Sequence, residues 1–212
     1  MSIWTAVLSS IVLCLRHVFD RWIHGTIFHS ILVRILYFPS IAKMSARSRW
    51  KPNSAKQWYN RIDETVILGA LPFRCQTKEL VEKENVRAVI SYNEAYELSY
   101  FTNSKKDWAD HGVEQHWFST VEFDPPSLPN IWAGLKVIDL HKKRKESVYV
   151  HCKAGMGRSA VATVCYLIRA NSMDPEKAIE FARSKRPHIS IYERQRQRIL
   201  EFHECLKAEK QD

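Results

Sequence analysis

The chain has 212 residues, of which 45% are hydrophobic and 26% charged, with a formal net charge of +9. Seven Trp, eight Tyr and nine Phe exclude a disordered chain. Residues 1–62 hold nine basic side chains and one acid, Asp20, whereas residues 63–212 hold 23 basic and 22 acidic ones. The presumed folded unit is therefore nearly neutral, which excludes a basic nucleic-acid-binding domain.

The chain opens with 15 residues before its first charge, Arg16, fewer than the ~20 apolar residues that span a bilayer. Arg16, Arg21, Arg34 and Lys43 punctuate the apolar stretch that follows. A basic, acid-poor, amphipathic leader over 1–43 fits mitochondrial targeting or an interfacial membrane helix, and a helix packed on the domain is the plain alternative. Residues 44–57 are polar, basic and contain Pro52, so they read as a linker to a domain over 58–208.

Within that domain short β-type runs alternate with helical patterns. TVILGALP (65–72) and VRAVISY (86–92) flank a helix candidate at 77–85, with Thr77 as its cap. QHWFSTVEF (115–123) and SVYVHC (147–152) flank 130–145, where Ile131, Leu135 and Ile138 recur at helical spacing. Lys142, Lys143, Arg144 and Lys145 suit a helix C-terminus. An apolar helix is expected over 159–171, with Cys165 in the core. Asp174-Pro175 caps another over 175–185, and a last one covers 192–207. This alternation implies an α/β fold: a central, mostly parallel sheet flanked by helices.

Five cysteines (Cys14, Cys75, Cys152, Cys165 and Cys205) are odd in number and widely spaced, which suggests a reducing compartment rather than a disulfide framework. No C-x-x-C pair is present, and His151-Cys152 alone is too small a set for a metal, so no metal or other cofactor is expected.

The stretch VYVHCKAGMGRSAVATV concentrates the chemistry. It places Cys152 at the carboxyl end of a strand, where ligands sit in sheets of this kind. The amides from Lys153 through Ala154, Gly155, Met156 and Gly157 to Arg158 can form a nest around one anion, aided by the following helix N-terminus. Gly155 and Gly157 permit the curl, and the Arg158 fork holds two phosphate oxygens. The same donors act on the thiol, lowering a cysteine pKa of about 8.5 to ~3.5–7.5. Ser159 donates its hydroxyl to the sulfur. A thiolate in an anion cradle describes phosphoryl transfer through a cysteinyl-phosphate. A structural cysteine beside a glycine loop, or an inactive phosphate reader, are the alternatives.

HCKAGMGRS resembles the signature of the protein-tyrosine-phosphatase superfamily in its dual-specificity branch, and similarity extends from about Leu36 to His203. Within that branch, WYNRIDETVILGALP, NVRAVISYNEAYE and RPHIS resemble the mitochondrial subgroup that dephosphorylates phosphatidylglycerophosphate on the route to cardiolipin. The resemblance implies an anionic phospholipid substrate, action at the mitochondrial inner membrane surface and a monomer. It also implies that Glu94, Tyr96 and Glu97, within N-E-x-Y-E, wall the pocket. Where the subgroup carries a basic residue this chain has Met156, which keeps a dual-specificity protein phosphatase or a phosphoinositide phosphatase as the alternative function.

The family's general acid lies some thirty residues before the nucleophile, on a segment reading STVEFDPPSLP here. Glu122 keeps the register and Asp124 the usual residue type, and Asp124 is favoured. In an extended chain both side chains would point the same way. Lys153 is a candidate substrate contact, His151 an orienting residue, and Arg74, Arg186 and His188 candidate headgroup contacts.

Overall fold

The computed structural model describes residues 35, 37, 39–42 and 57–209. It divides into two units, Met1–Ser45 and Ala46–Asp212. Of the expected linker only Gln57 is described, and of the expected leader only residues 35, 37 and 39–42. They are helical, and Ser40 Oγ donates to the Tyr37 carbonyl at 2.7 Å. The remainder of both expectations lies outside the described residues.

In the second unit the chain runs through β1 (Tyr59–Arg61), β2 (Val66–Gly69), a 3-10 turn (Arg74–Gln76), α1 (Thr77–Glu82) and β3 (Val86–Ser91). Two short helices follow, α2 (Ala95–Leu98) and α3 (Lys105–Asp110), then β4 (Glu114–Trp117) and α4 (Leu128–Lys143). It closes with β5 (Ser147–His151), α5 (Arg158–Asn171), α6 (Pro175–Lys185) and α7 (Glu193–Ala208). The five strands lie in the order β1-β2-β5-β3-β4. Only β1 is antiparallel to its neighbour, so the expected mostly parallel sheet is found.

β5 is central and entirely buried, because both faces of the sheet are covered. Side chains alternate across it. Val148 and Val150 join Val66, Leu68, Ala88 and Ile90 in a core sealed by α4, α5, α6 and α7. Tyr149 points the other way, to Ile67, Val89, Leu80 and Trp108. α5 runs through the larger core and keeps residues 158–168 from water, as its apolar sequence requires.

β1 leads into β2 through a turn in which Asp63 Oδ1 accepts from Thr65 and Val66 N–H at 2.8 and 2.7 Å. β4 is shorter than the expected 115–123. The Asp124-Pro125-Pro126 run supplies no ladder donors at its prolines, and the chain turns instead. Asp124 N–H bonds to the Val121 carbonyl at 3.1 Å, with Phe123 at φ 72°. Among the described residues, no helix is long and apolar enough to cross a membrane.

Candidate active site

Cys152 follows the last residue of β5, and the loop that begins there is held from outside by its carbonyls. The Lys153 carbonyl accepts from Leu71 N–H at 3.1 Å and the Met156 carbonyl from Ser190 N–H at 3.0 Å. Arg186 supplies the rest, its guanidinium donating to the Gly155 carbonyl at 2.8 Å and the Ala154 carbonyl at 3.1 Å. With four successive carbonyls tied outward, the intervening N–H groups are left to converge inward, the geometry of an anion nest. Gly155 sits at φ +65°, and a Cβ there would lie 2.3 Å from the Gly69 carbonyl oxygen. No side chain fits.

Inside this bowl the thiol has five influences upon it. Burial pushes it up; the Arg158 charge, the Ser159 hydroxyl at 3.2 Å and the amides of Ser159 and Gly155 outweigh burial. Cys152 is thereby held below its ordinary value of 9.0. Cys165, equally buried, is pushed up because burial outweighs the Arg198 charge and a backbone hydrogen bond, and it belongs to the core as expected.

Arg158 is itself gripped. Its Nη1 and Nη2 donate to the two Glu97 oxygens at 2.6 and 2.9 Å, and Nη1 also donates to the Thr120 carbonyl at 2.8 Å. Both side chains are buried, 3% and 0% exposed. Burial acts against each charge, and each partner overcomes it in the other, holding the Glu97 carboxyl down and the guanidinium up. These bonds engage three of five N–H donors and leave the Nε–H edge for an oxyanion. Glu97 is fixed in turn by the Glu94 N–H at 2.8 Å. Tyr96, pushed up by burial and then by Glu97, Glu94 and Glu122, shares this corner.

Glu122 and Asp124 do not point the same way, as an extended chain would have required. The positive φ at Phe123 breaks the alternation. Glu122 turns to the loop, where Lys153 Nζ donates to its oxygens at 2.8 and 3.0 Å, both side chains being largely buried. Asp124 turns to α7 and pairs with Arg194 at 2.8 Å. Gln195 on the same helix donates to the Phe123 carbonyl at 3.2 Å, pinning the turn.

His151 is buried, with Ser91 Oγ 2.6 Å from Nε2, and burial pushes it down to about 3. A neutral imidazole here orients the strand end. Arg186 is 1% exposed and bonded to loop carbonyls and Asn60, so the expectation of a headgroup contact is corrected: it builds the bowl from behind. Arg74 is exposed and lines a cavity of about 530 Å³ with Leu98, Lys105 and Trp117. Ala95 and Leu98 of α2 also line this cavity, and Glu97 of the same helix pairs with Arg158. His188 is half-buried, and Met156 contributes its carbonyl to the scaffold. Two supports escaped sequence reasoning. The Thr120 carbonyl carries no side-chain signal, and Gln195 sat in what reads as a solvated helix face.

Residues 73–205 match the family described as dual specificity phosphatase, catalytic domain. The chain is 42% identical to the phosphatidylglycerophosphatase and protein-tyrosine phosphatase 1 of Rattus norvegicus, across 84% of this chain and 92% of that protein. The phosphatidylglycerophosphate phosphatase PTPMT2 of Arabidopsis thaliana is 34% identical across 80% of this chain and 72% of that one. Among solved structures, PTPMT1 in complex with PI(5)P is similar at 44% identity and a TM-score of 0.71, covering 72% of this chain and 99% of that one.

Proposed function

The chain belongs to the dual-specificity phosphatase family and is a phosphatase, and from that premise we propose that it hydrolyses phosphatidylglycerophosphate to phosphatidylglycerol. One observation carries the substrate: similarity over most of the chain to phosphatidylglycerophosphate phosphatases of both Rattus norvegicus and Arabidopsis thaliana.

In the mechanism we propose, the terminal phosphoryl group enters the bowl and Cys152 Sγ attacks phosphorus in line. The amides of residues 153–158 and the free edge of Arg158 take the equatorial oxygens, stabilising charge where it develops. Glu122 is the acid. Its carboxylate is paired with Lys153 before substrate arrives. A phosphoryl dianion nearby favours protonation of a carboxylate and offers Lys153 another partner. Glu122 then gives its proton to the departing glycerol oxygen as the P–O bond breaks. In the second step the carboxylate removes a proton from water. The water oxygen attacks phosphorus, the P–S bond breaks, and inorganic phosphate leaves with Cys152 again a thiolate steadied by Ser159. No step calls on a metal.

A lipid headgroup substrate places the site at a membrane surface. We assign residues 1–43 to targeting or attachment at the mitochondrial inner membrane, 44–57 to a linker and 58–208 to catalysis, on the route to cardiolipin. A reporter fused to residues 1–57 is expected to reach mitochondria; a cytosolic reporter would remove the location.

A second reading, phosphoinositide hydrolysis, is favoured by the PI(5)P bound to the similar PTPMT1. The deciding assay compares turnover of phosphatidylglycerophosphate, PI(5)P and phosphotyrosine peptide in the same detergent. Preference for phosphatidylglycerophosphate is expected, and preference for either rival overturns the substrate assignment.

A further inference from the structure

Where the edge strand β4 meets the end of α4, three side chains unused by phosphoryl transfer converge. Glu114 and His116 stand two apart on the edge strand and so share a face, and His141 lies in the last turn of α4. One ligand atom from each lies within 4.8 Å of the other two. His116 Nε2 is 3.5 Å and His141 Nε2 4.0 Å from Glu114 Oε2. A tetrahedral ion with bonds of 2.0–2.1 Å sets its ligand atoms roughly 3.3 Å apart, so a small side-chain adjustment closes the set.

The surroundings of His141 carry the inference. The residue is 1% exposed, and its Nδ1 lies 2.7 Å from Glu146 Oε2. A carboxylate only accepts, so Nδ1 is the donor in that contact, and Nε2 is the ring atom turned toward Glu114. That Nε2 is buried without a hydrogen-bond partner, and Nε2 of His116 has only the long 3.5 Å contact to Glu114. A buried ring nitrogen left so beside a carboxylate oxygen is a costly arrangement that a cation completes. A carboxylate behind a ligating imidazole is the usual outer support of a metal-bound histidine.

We propose that Glu114, His116 and His141 bind one borderline divalent cation, Zn²⁺ foremost, with Glu146 orienting His141. Two imidazoles and a carboxylate favour this class over Mg²⁺ or Ca²⁺, and three protein ligands leave a fourth position for water. Arg144 holds the other Glu114 oxygen at 3.4 Å. The ion ties the edge strand to the end of α4, so its role is to secure β4.

The test is calorimetric titration of Zn²⁺ into chelator-treated full chain, with Co²⁺ absorption as a second readout. One equivalent is expected, and a Cys152→Ser variant should retain it. Cobalt should show ligand-field bands without sulfur-to-metal charge transfer. His116→Ala and the surface variant Glu114→Gln should each lose the site, and Glu146→Gln should bind about tenfold more weakly. The proposal is overturned by no stoichiometric uptake, by uptake indifferent to both ligand variants, or by uptake that vanishes in Cys152→Ser. If His141 instead bridges Glu114 and Glu146 as an imidazolium, no uptake is seen.

Discussion

Cys152 and Cys165 are both buried thiols, yet their surroundings drive them in opposite directions. The difference is the donors around the sulfur. Thiolate is the attacking form, so the rate should fall as pH drops through the Cys152 pKa. Ser159→Ala removes a hydrogen bond to a charged acceptor, worth about 1.5–3 kcal/mol, and at 1.36 kcal/mol per unit should move that acid limb up by about 1–2 units. A limb that stays in place would remove Ser159 from the site. Glu122 and Asp124 divide as sharply. Glu122→Gln should lower kcat by about 10²–10⁴-fold and erase the basic limb of the profile. Asp124→Asn disturbs a half-exposed pair with Arg194, and a loss of at most about fivefold is expected. The reverse pattern would return the role to Asp124. Sequence reading named both acids and favoured Asp124 on residue type, and it could not use side-chain direction, because nothing in Glu-Phe-Asp announces a phenylalanine in the left-handed region.

At the scale of elements, α2 is a four-residue helix whose importance lies in one buried ion pair. Removing one partner of such a pair strands the other. Glu97→Gln should therefore cost about 3–5 kcal/mol and misdirect Arg158, abolishing activity; denaturant midpoints and turnover measure the two effects. The pH dependence follows from the depressed carboxyl. Its contribution is fully present above the ordinary value of 4.5 and is lost as pH falls through the lower folded value. Gly155→Ala should cost about 2–5 kcal/mol, strain at positive φ adding to overlap with the Gly69 carbonyl, with little activity surviving. The strand, loop and α5 were legible because β-branched residues, paired glycines and an apolar helix follow one another without a break. Arg186 was not. Its loop partner Gly155 lies 31 residues away, and a basic residue between helices looks the same whether it faces a ligand or the back of a loop.

For the whole molecule, sequence periodicity conveyed the layered α/β plan but not the strand order that makes β5 central. Strand order depends on pairings between distant segments, and periodicity records only which faces are apolar. β1 was missed because Tyr59-Asn60-Arg61 alternates too little to read as a strand. The substrate question also belongs at this scale, and we propose that Arg74 and Lys105, which line the cavity beside α2, meet the rest of a lipid headgroup. Arg74→Ala should raise KM for phosphatidylglycerophosphate by up to about fivefold while leaving a small aryl phosphate unaffected. Equal effects on both substrates would confine Arg74 to folding.

Alkylation of Cys152 by iodoacetate as a function of pH, followed by mass spectrometry of its peptide, probes the sulfur directly. The expected result is an inflection well below the ordinary 9.0, abolished by saturating inorganic phosphate. An inflection at or above 9.0, or a reaction indifferent to phosphate, would contradict a thiolate held in an anion-binding bowl.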